Sequence, residues 1–274
     1  MSEVDGQSHA ELRSRFESAV SQAGGDAAKI GDALFSFAEL LDARPSVRRA
    51  LTDTGRGPAD REALLRRLTG DRLDATSVDL LAACVSERWA KPGELTTTIE
   101  EFGVLAHLFA ARAHDRLDTV EEELFRFAQV VRRERDLRSA LLDRAAPPEA
   151  LSGLIRRLLD GRSAPETVRL VEHAVLERRA GSLESELERV SELAARLRAR
   201  RVAVVHVAAP LAPEHRDRLE RALSVRADGP VQMNIVVEPG LVGGIKVELG
   251  DEVVDGTVAS RLEGAQRQLV ASTQ

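Results

Sequence analysis

The sequence predicts a mainly α-helical chain with a C-terminal α/β module: two related helical bundles followed by a small β-sheet domain with flanking helices. Three observations carry that expectation. The chain matches itself at a shift of 90 residues, without a gap from Leu34 to Ala90, with 20 of 57 positions identical. Chance in so Ala-, Leu- and Arg-rich a chain gives roughly five. Within each copy apolar residues recur at i, i+4, i+7 and i+11, the stripe of an amphipathic helix. After Arg201 the composition changes, and β-branched residues come in short alternating runs.

Taken in order, His9 to Ala23 turns Leu12, Phe16 and Val20 to one side and predicts a helix ahead of the first copy. Ile30, Leu34, Phe37, Ala38 and Leu41 mark the next helix, and its Leu34-Phe35-Ser36-Phe37-Ala38 returns as Leu124-Phe125-Arg126-Phe127-Ala128. Arg48, Ala50, Leu51 and Asp53 return as Arg138, Ala140, Leu141 and Asp143. Leu64, Arg66, Arg67 and Leu68 return as Leu154, Arg156, Arg157 and Leu158, and Val78, Leu80 and Val85 as Val168, Leu170 and Val175. After Ala90 a two-residue deletion moves the match to a shift of 88. There Leu95, Ile99, Phe102, Leu105, Ala106 and Phe109 meet Leu183, Leu187, Val190, Leu193, Ala194 and Leu197, so every partner stays apolar. Pro58, Pro92, Pro148 and Pro165 stand where a helix begins, and Gly55, Gly70 and Gly161 where one ends. Each copy predicts about five helices joined by short turns. A period of this length is too long for a solenoid unit, and the expected division is a first bundle over 1–112 and a second over 113–200.

The remaining part, 201–274, alternates strand and helix. Val202 to Val207 predicts a strand, Pro210 and Pro213 lead into a helix with Leu219, Ala222 and Leu223 inward, and Val231 to Val237 predicts a second strand. Glu238-Pro239-Gly240 breaks it. Gly244 to Leu249 and Glu252 to Asp255 predict two more strands about a Gly250-Asp251 turn, and Val258, Leu262, Ala265 and Leu269 put one stripe on a closing helix.

Composition narrows the function. With 45 acidic and 39 basic residues the formal charge is −6, which argues against a protein that grips nucleic acid phosphates. Cys84 is the one cysteine, so neither an internal disulfide nor a thiolate metal cage is expected, and a reducing compartment is. No stretch approaches about 18 uncharged apolar residues, and Met1 to Asp5 opens no signal peptide, so neither secretion nor membrane insertion is expected. The basic residues are 36 arginines and three lysines, Lys29, Lys91 and Lys246, which suits solvated helix faces laced with ion pairs.

Catalytic chemistry finds little support. The cluster Gly240, Gly243, Gly244 and Gly250 lacks the Gly-Lys-Ser/Thr that opens a helix in a phosphate loop, because Gly244-Ile245-Lys246 opens a strand. No two of His9, His107, His114, His173, His206 and His215 stand three or four apart, as a helical metal site requires. His107 and His114 come nearest, about 10 Å apart along a helix axis. Cys84 lies in an apolar run and reads as a buried, inert thiol. Asp251 and Asp255 suit turn and capping roles better than an acid–base pair. No cofactor and no metal is expected, and the buried polar cluster that a catalytic cleft needs is not visible in the sequence.

One stretch is far more specific: Glu238-Pro239-Gly240-Leu241-Val242-Gly243-Gly244, then an alternating strand, Gly250-Asp251, and Asp255-Gly256-Thr257 before a helix. It resembles the C-terminal signature of the delta subunits of F-type ATP synthases, the oligomycin-sensitivity-conferring protein family, carried by Pro239, Gly243, Gly244, Gly250, Asp251, Asp255 and Gly256. Val202 to Leu211 resembles the strand and Ala-x-Pro-Leu turn that open the same module, and Glu123 to Ala128 resembles the first helix of the family's helical domain. Residues from about 119 onward thus resemble a whole ordinary delta subunit, and the extra copy before them resembles the longer actinobacterial form.

The resemblance implies a non-catalytic stator subunit that links the catalytic head to the membrane-anchored b-subunit stalk and resists rotor torque during proton-driven ATP synthesis. It implies two partners, the N-terminal helices of the alpha subunits on the head and the b-subunit stalk. It also implies a place at the bacterial cell membrane, peripheral on the cytoplasmic side, with no nucleic acid partner and no direct membrane insertion. For the head contact the candidates are Leu124, Phe125, Phe127, Ala128, Leu187, Val190 and Leu197; for the stalk contact, Val258, Leu262 and Leu269. The same residues also suit the bundles' own cores. The rival reading is an α-helical scaffold or regulatory interaction protein unrelated to ATP synthase.

Overall fold

The computed structural model describes residues 3–143, 145–177, 182–199, 201–227, 231–238, 240–241, 243–249 and 252–256. They divide into two compact units, 1–195 and 196–274. Both helical copies fall within the first unit as far as Ala195, inside the last helix of the second copy.

The helices run α1 (Glu3–Ala23), a 3-10 turn Gly24–Asp26, α2 (Ala27–Ala43), α3 (Pro45–Leu51), α4 (Pro58–Thr69), α5 (Ala75–Ser86), α6 (Pro92–Ala113), α7 (Leu117–Arg133), α8 (Arg135–Leu142), α9 (Pro148–Leu159), α10 (Pro165–Leu176) and α11 (Leu183–Ala199). The first residues of α7, α8, α9 and α10, at 117, 135, 148 and 165, each stand 90 after those of α2, α3, α4 and α5, at 27, 45, 58 and 75. Proline opens α4, α6, α9 and α10, where its missing N–H has no intrahelical partner to lose. Gly70 and Gly161 follow α4 and α9 at φ 53° and 72°, the left-handed geometry that a helix stop uses.

Equivalent residues are buried in both copies. Leu34 with Leu124, Leu51 with Leu141, Leu65 with Ile155 and Ile99 with Leu187 are all fully inside, each contributing about 1.5–3 kcal/mol. Leu12, Phe16 and Val20 of α1 are inside too, with Phe16 stacked on Phe102 of α6 at 4.2 Å between centroids. Helices α2 and α6 pack along one another. Gly31 and Gly103 permit it: a Cβ at Gly31 would stand 2.7 Å from the His107 ring, and one at Gly103 2.5 Å from Phe35. The second copy carries Glu121 and Ser191 at those places.

The copies also differ in how they begin and end the helix before the long one. In the first, Asp74 caps α5 by accepting the Ser77 N–H at 3.0 Å, and buried Arg61 donates to the Ser86 and Glu87 carbonyls at the other end. In the second, Glu123 of α7 accepts the Ala164 N–H at 2.9 Å and the Thr167 hydroxyl at 2.5 Å, so α10 starts against its neighbouring helix.

The second unit holds β1 (Arg201–Val207), α12 (Pro213–Arg226), β2 (Val231–Val237), β3 (Ile245–Leu249) and β4 (Glu252–Asp255). The sheet order is β2-β1-β3-β4, with β1 parallel to β2 and antiparallel to β3, and β3 antiparallel to β4. The parallel pair needs a crossover, and α12 is it. Ala203, Val205 and Val207 of β1 alternate inward and pack with Leu223, Val231, Met233, Val247 and Leu249.

Candidate functional site

On α7 the stripe Val120, Leu124, Phe127, Ala128 and Val131 turns into the core. Phe125 follows Leu124 and is therefore rotated by about 100° out of that stripe; it is 55% exposed. Glu122, three residues earlier on the same face, is ion-paired with Arg126. Of the seven residues whose spacing marks them for a head contact, Leu124, Phe127, Ala128, Leu187, Val190 and Leu197 are buried, and Phe125 alone reaches solvent. A bundle satisfies its own apolar stripe first, and only a large apolar side chain displaced from that stripe is left outside. Arg132 pairs with Glu188, and Arg138 with Glu184 at 3.0 Å, joining α7 and α8 to α11.

In the first copy the same face is filled. Phe35, the counterpart of Phe125, is 1% exposed. The His173 ring of α10 stacks on it at 3.8 Å and 9°, the His107 ring of α6 lies 5.3 Å away on centroids, and the Arg169 guanidinium of α10 stands 5.3 Å from its centre. Arg169 donates to Asp32 of α2 at 2.6 Å, and His107 Nε2 faces the same carboxylate at 3.5 Å. A second joint lies beside it: Glu166 of α10, 4% exposed, accepts from Arg116 at 2.5 Å and faces His114 Nδ1 at 3.3 Å. Glu172 accepts from Arg156 at 2.7 Å.

Burial opposes ionisation of Asp32, but the hydrogen bonds and charges of His107 and Arg169 prevail and hold its carboxyl at about 2 against an ordinary 3.8. Burial likewise works against Glu166, and Arg116 pulls its pKa down on balance. A carboxyl held lower in the folded chain stabilises fully above its unfolded value, and that contribution is lost as pH falls toward the folded value. Thermal melts from pH 4 to pH 2 should therefore show a loss that Asp32→Asn flattens. For so exposed a group it is worth about 1 kcal/mol after solvent screening, or roughly 2–4 °C; equal slopes in the two proteins would remove Asp32 from the joint.

This polar cluster is the feature that the sequence does not show. Arg169 and His173 reach across to Asp32 and Phe35 of the first copy, while Glu166 with Arg116 and His114, and Glu172 with Arg156, join segments of the second copy, so the arrangement fastens helices. Asp42, Glu100 and Glu177 also bring carboxylate oxygens within 4.8 Å of one another, with Arg48 bound to Asp42 at 2.8 Å. Cys84 is fully buried, and burial, with the charge of Glu87 adding to it, pushes its thiol up to about 12, so it stays a thiol. The signal that points to the joint is the repeat itself, which sets Phe35 against Phe125 and asks why two copies of one motif differ in cover.

In the second unit Gly243 and Gly244 have φ 123° and 89°, which only glycine adopts without strain. Gly256 donates to the Ile245 carbonyl at 2.9 Å, where a Cβ would crowd that oxygen at 3.1 Å. Asp255 lies opposite Lys246 across β3 and β4. Pro239, Gly250 and Asp251 of the signature, and the stalk candidates Val258, Leu262 and Leu269, lie outside the described residues.

Comparison with known proteins adds the family. Residues 104–269 match the family described as ATP synthase delta (OSCP) subunit. The chain is 43% identical over 241 residues to an ATP synthase subunit delta of Parafrankia sp., covering 88% of this chain and 86% of that one. It is 39% identical over 260 residues to that of Streptomyces griseus, covering 95% and 96%, and 40% identical over 262 residues to that of Streptomyces coelicolor, covering 96% of each.

Proposed function

This chain belongs to the ATP synthase delta (OSCP) subunit family, a non-catalytic component of the peripheral stalk, and we propose that its helical unit holds the catalytic head while its C-terminal unit meets the stalk. Rotation of the central shaft exerts torque on the head, and a peripheral stalk resists it. The task needs stiff, well-fastened contacts and no bond making. Among the described residues no helix is long and apolar enough to cross a membrane, and the subunit is peripheral to the membrane complex.

In finer detail, the head contact is an N-terminal helix of an alpha subunit lying on α7, with Phe125 as its anchor. Leu124, Phe127 and Ala128 of α7 and Leu187, Val190 and Leu197 of α11 hold the floor from inside. The stalk contact is the end of the b subunit against the segment of Val258, Leu262 and Leu269, and the complex places the subunit on the cytoplasmic side of the bacterial cell membrane. The observation that supports the head contact is the exposure of Phe125 beside a buried stripe, since aromatic anchors dominate interface energies.

The test is co-sedimentation of the intact chain with catalytic heads stripped of their own delta subunit, alongside Phe125→Ala. Loss of an anchor is expected to weaken binding by on the order of 30-fold with an unchanged melting temperature. Undiminished binding of Phe125→Ala would remove the contact from α7, and failure of the intact chain to bind either heads or isolated b subunit would sink the reading as a whole.

A further inference from the structure

Helix α10 takes part in two packings. By sequence it is the counterpart of α5, 90 residues on, and it packs on α9 and α7 of its own copy. It also packs on α6 of the other copy, where Arg169 and His173 close over Asp32 and Phe35. The joint is head-to-tail: an α2-type face of one copy receives an α5-type helix of the next. A stack of two copies joined that way has one filled face and one open face. The open face is on α7, where Glu122 and Phe125 stand at the positions of Asp32 and Phe35 and where Ala195 replaces the imidazole of His107.

We propose that the Glu122 and Phe125 face of α7 takes one helix of another subunit that presents a cation and a flat ring one turn apart, as Arg169 and His173 stand on α10. The first copy takes none, because α10 already fills its face. This rests on the reading that the helical unit docks a head helix, and it states what that helix must carry. A third copy, or a partner helix with the same pattern, would supply what α10 supplies to the first copy.

Charge argues against a second copy of this chain as the occupant. On the other side of the first copy α5, which also packs on α1, carries Asp79 and Ala83 at the positions of Arg169 and His173. Laid on α7, Asp79, paired with Arg66 at 3.1 Å, would bring a second carboxylate to Glu122, which is already paired with Arg126, and Ala83 would bring no ring to Phe125. Like charges at that place oppose the contact that the Asp32 and Arg169 pair, 2.6 Å apart, favours.

The experiment uses the intact chain and a hydrocarbon-stapled, fluorophore-labelled peptide of residues 164–177 as the probe, read by anisotropy, with the stripped heads in a parallel arm. The peptide should bind one to one, at least about tenfold more weakly to Phe125→Ala and about three- to tenfold more weakly to Glu122→Arg. A peptide carrying Arg169→Glu should restore binding to Glu122→Arg. No peptide binding, or binding indifferent to both substitutions, overturns the proposal. So does a concentration-dependent oligomer in sedimentation velocity that Phe125→Ala abolishes, which would make a second copy the occupant. If heads depend on Phe125 while the peptide fails, the pattern is wrong and the head contact stands. If the peptide depends on Phe125 while heads do not, the pattern stands and the head assignment falls.

Discussion

Phe35→Ala will destabilise the helical unit by about 3–5 kcal/mol, and Phe125→Ala by no more than about 0.5 kcal/mol, although the two phenylalanines occupy the same place in the repeat. Phe35 is 1% exposed between the imidazoles of His107 and His173, under Arg169, against Gly103. Removing the ring leaves a cavity that helices pinned at Gly31 and Gly103 are poorly able to close, and it strips the apolar platform from a buried polar cluster. Phe125 loses mainly contact with water. In thermal melts the difference should be on the order of 10 °C for a unit of this size. Similar melts for the two variants would mean that α10 does not close over the first copy.

Gly103→Val should cost a further class of stability, overpacking, at about 1–3 kcal/mol. Replacing glycine inside a helix ordinarily helps by a few tenths of a kcal/mol or more, so the sign of the change is informative. Here a Cβ would meet two Phe35 ring carbons at 2.5 Å, and the ring is held from its other side by His173. It has nowhere to move, so α2 and α6 must separate. Ser191→Val, at the matching place in α11, changes a side chain that already has its Cβ accommodated, and should shift stability by about 0.5 kcal/mol or less. Equal melting temperatures for Gly103→Val and wild type would show that the α2 and α6 crossing is looser than its geometry.

Much of the architecture was legible in the residues. Pro58, Pro92, Pro148 and Pro165 open helices because proline's fixed φ and missing N–H suit that position wherever it occurs. Leu12, Phe16 and Val20 turn inward because their spacing leaves them no other common face. The strands of the last unit followed from alternation, yet their pairing did not. Nothing in Val202 to Val207 and Val231 to Val237 says that they lie parallel side by side; that depends on α12 crossing between them. The candidate head residues were legible as apolar and periodic. Six of the seven are interior, because periodicity reports a face and not what covers it.

The residues by themselves determined the duplication, the helix starts, the inward stripes and the C-terminal signature, since each depends on neighbours within a few turns or on a match along the chain. Only the tertiary structure decided that the two helical copies share α10. Arg169 and His173 read as an ordinary solvated face until Asp32, 137 residues earlier, and Phe35 are brought against them. The contact energy has no local component, so no window of sequence contains it. Phe35 and Phe125 sit in one repeated motif, and what separates a core ring from an exposed one is whether another helix arrives to cover it.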